Sequence, residues 1–229
     1  MKLTILGNNG PYPSSQTGAN SGYLIEENGT KIVLDMGAGT LAKLMNTTDI
    51  KDIDAIYISH LHFDHTSDLL PFRYLLDDLG LNIKILTQKE DSEWYRTLFT
   101  HPKFDIINID ENTELDLNGL KLSFCLLSHP AKDYGIKIRG EKTFVYTGDT
   151  VMCDNLYELV KGADAVLCDC AKPADFKGPH MSSADAVKLH KETGVKIIAT
   201  HICPGFDAEK EFADIDGITV TENNKAYFI

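Results

Sequence analysis

The segment Ser59-His60-Leu61-His62-Phe63-Asp64-His65 holds three imidazoles and a carboxylate within the six residues from His60 to His65. It follows the apolar run Ala55–Ile58, which reads as a strand. Residues two apart on an extended backbone share a side, so His60 and His62 address one point. Asp64 and His65 fall where the chain turns into a helix, and they reach a second point nearby. Imidazole and carboxylate suit zinc, and also iron or manganese. Water made nucleophilic by a bound metal is the chemistry such a set supports.

Three more donors follow the same placement. His129 comes after the apolar strand ending at Leu127, and His201 after Ile197–Thr200. Asp149 lies in the turn Tyr146-Thr147-Gly148-Asp149-Thr150, after the strand Thr143–Tyr146. Taken singly, each is an ordinary turn residue. Taken together, strand ends gathered on one edge of a sandwich bring His129, Asp149 and His201 to His60, His62, Asp64 and His65.

The elements needed to do this are legible. Lys2–Leu6, Gly22–Glu26, Lys31–Leu34 and Ala55–Ile58 read as short apolar strands, with Asn28-Gly29 as a hairpin signal. Gly39–Asn46, Ser67–Leu79 and Asp91–Phe99 read as helices. Strands return at Thr113–Leu117 and Leu120–Leu127, around a second hairpin signal at Asn118-Gly119, then at Tyr134–Ile138 and Thr143–Tyr146. Helix and strand then alternate: Cys153–Lys161, Ala163–Asp169, Ser182–Thr193, Val195–Thr200, Asp207–Ala213 and a last strand Lys225–Ile229. Two β-rich runs, each with helices, predict two packed sheets with helices outside. The segment Asn82–Asp110 fits the pattern least and reads as a local insertion. A single domain over 1–229 is expected, with no linker and no repeat.

Composition narrows the classes. With 229 residues, 43% hydrophobic and 24% charged, the chain is an ordinary globular protein, not a disordered or fibrous one. Its net charge of −12 repels long polyanions, so long nucleic acid is not an expected partner. The five cysteines form no CxxC pair and no even framework, which fits a reducing compartment. The N-terminal apolar run is too short for a signal peptide, and no stretch approaches a membrane span. A cytoplasmic protein is expected.

These residues resemble a known family. The chain looks, over nearly its full length, like a metallo-β-lactamase-fold hydrolase, an α/β four-layer αββα sandwich. The resemblance implies two divalent metal ions, zinc by expectation with manganese an alternative. One ion would sit on His60, His62 and His129, and the other on Asp64, His65 and His201, with Asp149 between them. Val33-Leu34-Asp35-Met36-Gly37 resembles the family's Asp-x-Gly element, in which the Asp supports the metal loop. A helix N-cap or turn role for Asp35 is equally open at this point. Proteins of this fold often dimerise, so a homodimer is one expected assembly.

Within the family, Pro179-His180-Met181-Ser182-Ser183-Ala184-Asp185-Ala186 resembles the His-x-Ser/Thr-x-x-x-Ala element of the ribonuclease Z-like branch. There the His faces the scissile phosphate and assists the leaving oxygen. Cys168-Asp169-Cys170-Ala171 stands at the place of that branch's His-Glu-Ala-Thr element, with Asp169 where the Glu orients the His. Asp169 paired with His180 is therefore the expectation. His129 and Asp149 are only 20 residues apart, which leaves no room for a tRNA-gripping arm. The resemblance thus implies a phosphodiesterase for small or cyclic phosphodiesters, acting through a metal-bridging hydroxide, with Asp64, Asp149, His180 and Asp169 as its catalytic residues. A small anionic phosphodiester is the expected partner. A lactonase or thioesterase with the same metals is the alternative enzyme. A non-catalytic metal-binding module is the alternative of another class. Lys132, Lys172 and Lys177 read as solvated surface lysines, Phe63 and Phe176 as loop packing, and Cys168 and Cys170 as small buried hydrophobes.

Overall fold

The computed structural model describes residues 1–14 and 18–229. The N-terminal half runs β1 (Lys2–Gly7), β2 (Gly22–Glu27), β3 (Thr30–Leu34), α1 (Thr40–Thr47), β4 (Ala55–Tyr57), α2 (Phe63–Thr66), α3 (Leu69–Leu79), β5 (Ile83–Thr87), α4 (Glu93–Phe99) and β6 (Phe104–Asn108). The second half runs β7 (Glu114–Leu117), β8 (Leu120–Leu126), β9 (Tyr134–Arg139), β10 (Thr143–Tyr146), α5 (Asp154–Val160), β11 (Ala165–Asp169), α6 (Ser183–Thr193), β12 (Lys196–Thr200), α7 (Ala208–Phe212), β13 (Ile218–Val220) and β14 (Ala226–Phe228).

Two seven-stranded sheets result, in the orders β14-β1-β2-β3-β4-β5-β6 and β13-β12-β11-β10-β9-β8-β7. Each is antiparallel on one side and parallel on the other. In the first sheet, β14, β1, β2 and β3 pair antiparallel and β3 to β6 pair parallel. In the second, β7 to β10 pair antiparallel and β10 to β13 pair parallel. Both hairpin signals hold. Asn28 and Gly29, like Asn118 and Gly119, have positive φ throughout, as a two-residue hairpin turn of matching twist requires.

Period-two alternation divides each strand between two cores. Leu3, Ile5, Tyr23 and Ile25 face Leu122, Phe124, Ile136 and Phe144 across the space between the sheets. Leu6, Leu24, Val33 and Ile56 face outward, onto Leu44 of α1, Phe72 and Leu76 of α3 and Leu98 of α4. Val166, Cys168, Ile197 and Ala199 pack on Leu156 and Leu159 of α5, Leu189 of α6 and Phe212 of α7. The architecture is the expected αββα sandwich of four layers. Among the described residues no helix is long and apolar enough to cross a membrane.

The segment Asn82–Asp110 is not an insertion. It supplies β5, α4 and β6, a parallel crossover that completes the first sheet. Its pattern misleads because β6 is an edge strand with one fully buried residue, Phe104. Parallel strands also need a helical crossover. The sequence likewise carries no clear sign of β13, three residues long, nor of the break between α2 and α3 at Ser67 and Asp68.

The two sheets are tied polar as well as apolar. The buried Tyr23 hydroxyl and Thr200 Oγ1 lie 2.8 Å apart, joining β2 to the end of β12. Tyr23→Phe leaves Thr200 Oγ1 without that partner. It should lower unfolding free energy by about 1–2 kcal/mol with the fold retained, read as a shifted urea midpoint at unchanged slope. An unchanged midpoint would mean that the bond does not couple the sheets.

Candidate metal centre

Strands β3, β4, β8, β10, β11 and β12 end on one rim, and each brings a polar residue of the site at its end or within three residues of it. The polypeptide past β3 delivers Asp35, past β4 Ser59, His60 and His62, past β8 His129, past β10 Asp149, at the end of β11 Asp169, and past β12 His201. Asp64 and His65 come from α2, and His180 from the loop before α6. The backbone bends sharply to do this. Asp35 at φ 57 and His201 at φ 58 both occupy the left-handed region, where non-glycine residues are uncommon. Gly10 packs against the His201 ring so closely that a Cβ there would stand 2.0 Å from it.

His60, His62, His129 and Asp149 form one cluster. His60 Nε2 lies 2.9 Å from His62 Nδ1, which lies 3.2 Å from His129 Nε2. Asp149 Oδ2 stands 3.6 Å from His60 Nε2 and 3.9 Å from His129 Nε2. Asp64, His65 and His201 form a second cluster against the other side of Asp149. His201 Nε2 is 3.1 Å from Asp64 Oδ2 and 3.4 Å from Asp149 Oδ2. His65 Nε2 is 3.3 Å from Asp149 Oδ1 and 3.7 Å from Asp64 Oδ2. All seven expected ligands therefore converge, and Asp149 touches both groups.

The donors fit divalent metal ions. Ligands at about 2.0–2.1 Å around a tetrahedral ion stand about 3.3–3.4 Å from one another, and the spacings here, from 2.9 to 3.9 Å, bracket that value. Two buried donors of the set, His65 Nε2 and Asp149 Oδ1, have no hydrogen-bond partner, a costly state unless a cation takes them. Burial keeps imidazoles neutral, the form that ligates. It pushes His60 and His129 down to about 4 and lowers His62 and, strongly, His201. His65 goes the other way. Burial opposes its charged form, but Asp149, Asp64 and Asp35 outweigh that and raise it well above 6.5. Burial also opposes the charge of Asp149, yet the surrounding His201 and His65 hold it well below the usual carboxylate range. These carboxylates call for positive charge at the centre.

Residues behind the ligands aim them. His65 Nδ1 is 2.7 Å from Asp35 Oδ2, which also accepts from Ser59 Oγ at 2.7 Å and Tyr146 OH at 2.6 Å, while Asp35 Oδ1 accepts from Ser59 N at 2.7 Å. Asp35 is therefore a buried support of the metal loop and caps no helix; the N-cap of α1 is Gly39. Asp133 was invisible in the sequence. It is fully buried, with Oδ2 2.9 Å from His60 Nδ1 and accepting from Asp149 N at 3.0 Å. Burial and the charge of Asp149 push its carboxyl well up. Gly148 leaves it room, since a Cβ there would meet the Asp133 carboxylate at 2.4 Å.

Asp169 and His180 are together. His180 Nδ1 is 2.7 Å from Asp169 Oδ2 and 3.7 Å from Asp149 Oδ2. Asp169 Oδ1 lies 3.6 Å from His201 Nδ1, and Thr150 N donates to Asp169 Oδ2 at 3.2 Å. Burial and Asp149 raise Asp169 to about 6. Burial works against the charged His180, but the bond to Asp169 and the charges of Asp169 and Asp149 raise it above 6.5. Asp149, Asp169, His180 and His201 also make a third group of donors within 4.8 Å, sharing two members with the clusters above.

The remaining sequence candidates divide. Lys132 and Lys177 are exposed as expected, but Lys172 is 3% exposed and not a solvated lysine. Phe63 is exposed and packs edge to face on Trp94 of α4, with centroids 4.9 Å apart. Phe176 lies 6.4 Å from the His180 ring. Cys168 and Cys170 are buried, and both join the core beneath α5 and α6. The two histidines not named above, His101 and His190, lie outside the centre, on Asp77 and the Val195 carbonyl.

Two outcomes follow from this geometry. Stripping the ions with a chelator should lower the melting temperature, and zinc at about one hundred times its dissociation constant should restore about 5–10 °C. A melting temperature indifferent to zinc would contradict a built metal centre. Asp35→Asn should weaken metal retention about 10–100-fold against a competing chelator, with the circular dichroism spectrum unchanged. Wild-type retention in that variant would show that Asp35 does not aim His65.

The family profile described as a beta-lactamase superfamily domain matches residues 30–202. The Bacillus subtilis (strain 168) "Probable metallo-hydrolase YhfI" is 29% identical over 215 residues, covering 88% of this chain and 87% of that one. The crystal structure of YhfI superposes with a TM-score of 0.91 at 25% identity, over 99% of this chain and 98% of that one. A ribonuclease Z from Saccharolobus islandicus (strain L.S.2.15 / Lassen #1) is 27% identical over 266 residues, covering 90% of each chain. A diphosphatase from the PhnP family shares the fold, with a TM-score of 0.81 at 18% identity over 100% of this chain and 97% of that one. With its strand-end histidines and aspartates gathered on one rim, this chain belongs to the beta-lactamase superfamily.

Proposed function

We propose that this protein is a phosphodiesterase for small or cyclic phosphodiesters, working at two divalent ions. The observation that carries this reading is the Asp169–His180 pair, 2.7 Å apart, beside Asp149. A thioester expels a thiolate, which leaves without a proton, so it needs only a nucleophile and an electrophile. A phosphodiester with an alkoxide leaving group gains in addition from a proton delivered to that group. The ribonuclease Z and diphosphatase similarities support a phosphorus ester as the target.

His60, His62 and His129 would hold one ion, Asp64, His65 and His201 the other, and Asp149 would contact both. Divalent ions there supply Lewis acidity toward the phosphoryl oxygens and a water acidic enough to attack at neutral pH. The side chains do the rest. Asp133 and Asp35 fix the rings of His60 and His65, so the donors are set before substrate arrives. Asp169 accepts at Nδ1 of His180, which leaves Nε2 as the atom that passes a proton to the leaving oxygen. The negative charge of Asp169 and Asp149 favours the protonated ring needed for that step. At 16% exposure His180 stands at the solvent side of ligands that are almost fully enclosed, such as His60 at 0% and His201 at 2%.

The test is hydrolysis of bis(p-nitrophenyl) phosphate by protein loaded with zinc or manganese. Turnover is expected, and at unchanged metal content His180→Ala should lower kcat by about 10²-fold or more on a cyclic nucleotide, whose leaving group is an alkoxide, and by much less on bis(p-nitrophenyl) phosphate, whose phenolate leaves without a proton. Absence of turnover at verified two-metal loading, with a lactone or thioester opened instead, would overturn the reading.

A further inference from the structure

Two lysines are buried among the described residues, Lys137 and Lys172. Lys137 has an evident partner. Its ammonium donates to the carbonyls of Glu158 and Lys161, at 3.5 and 3.1 Å, where α5 ends. Lys172 is 3% exposed, and among the described residues no hydrogen bond or ion pair holds its ammonium, which is nevertheless not one of the fully enclosed, unpartnered polar atoms. A mostly buried lysine whose ammonium has no protein partner and still meets open space can take an anion from solution.

Its location names that partner's address. Lys172 is three residues past Asp169, and its carbonyl accepts from Ser183 N at 2.9 Å. The neighbouring carbonyl of Ala171 accepts from Cys203 N at 3.2 Å. The residue is thus clamped between the start of α6, just past His180, and the segment just past His201. Its charge bears on Asp169, His180 and His201.

We propose that Lys172 is a substrate-binding residue that takes a non-bridging, negatively charged oxygen of the phosphodiester beside His180. The site then demands an anion. A phosphodiester carries one charge on its non-bridging oxygens at neutral pH, whereas a lactone or a simple thioester carries none. Lys172 therefore discriminates in favour of phosphorus esters by charge. This deepens the phosphodiesterase reading and rests on it for the identity of the substrate.

The probe is inorganic phosphate, titrated by calorimetry into the zinc-loaded protein. Lys172→Met should weaken phosphate binding about tenfold or more, and Lys172→Arg should keep most of it, since charge-assisted contacts are the strong ones. In parallel, Lys172→Met should raise KM for bis(p-nitrophenyl) phosphate more than it lowers kcat. Zinc content and melting temperature are measured on each variant, and Lys172→Gln replaces the Met variant if that one fails to fold. Unchanged phosphate affinity at full zinc loading would overturn the inference. So would loss of phosphate binding that merely follows loss of zinc, because Lys172 would then be a counter-charge to the carboxylates. Lys172-dependent phosphate binding without phosphodiester turnover would support the anion contact and refute only the phosphodiesterase reading. Turnover with KM unmoved by Lys172→Met would do the reverse.

Discussion

The carboxylate of Asp35 holds this molecule's two halves and its site in one arrangement. It is fully buried, and it accepts from the Ser59 amide, the Ser59 hydroxyl and the Tyr146 hydroxyl, with His65 Nδ1 at 2.7 Å. Ser59 and His65 belong to the first sheet's rim and Tyr146 to the second sheet, so one side chain fixes the rims to each other. The left-handed φ of 57 at Asp35 is what turns the carboxylate inward after β3. The residue two further on must then slip past the metal loop. A Cβ on Gly37 would stand 2.0 Å from the Asp64 carbonyl oxygen. Asp-x-Gly is thus a single steric and electrostatic device: the Asp aims His65 and the Gly lets the loop carrying Asp64 close over it.

What that device organises is a crowd of like charges. Asp35, Asp64, Asp133, Asp149 and Asp169 are all buried within one rim. Carboxylates brought this close repel, and burial adds to the cost. The imidazoles do not offset it alone, since burial holds His60 and His129 neutral near neutral pH. Ions are what such a donor set is arranged to receive, and their charge is the largest in any site that holds them. The division of labour among the carboxylates follows from their neighbours. Asp149, among histidines, is held ionised, whereas Asp133, facing Asp149 with few donors, is pushed toward its neutral form.

The ligands were legible because each is either local in sequence or immediately follows an apolar strand. Both features survive without any knowledge of the fold. The same logic found His180 and Asp169 only by resemblance, because Asp169 is one letter in a mismatched tetrad and nothing local marks it. Asp133 and Lys172 escaped for a different reason. A Lys-Asp pair such as Lys132-Asp133 before a strand reads as solvated turn, and a lysine in a Pro/Gly/Asp-rich loop reads as surface. Their burial is decided by distant backbone, the Gly148 turn for Asp133 and the start of α6 for Lys172. The misread of Asn82–Asp110 is related. Lys84 and Asp105 are exposed on β5 and β6 and paired across the ladder, so each strand shows a charge to solvent while Ile83, Ile85 and Phe104 complete a core.

Recognition of a substrate is confined by how completely the sheet uses the chain. Between His129 and Asp149, β9 and β10 form an antiparallel pair joined by residues 140–142, and Asp133 is already spent on His60. Gly140 packs so tightly on Glu27 that a Cβ would approach its Oε1 to 2.3 Å. Nothing in that stretch is left to project as a gripping arm. Under the proposed function, selectivity therefore falls to residues at the rim itself. These are the exposed Phe63 with Trp94 on one flank, and the segment from Asp169 through Lys172 to His180 on the other. Lys172 brings the positive charge that a net-acidic surface does not offer. A site built this way selects by the charge and size of what enters the rim, since its specific contacts lie within a few ångströms of the reacting centre.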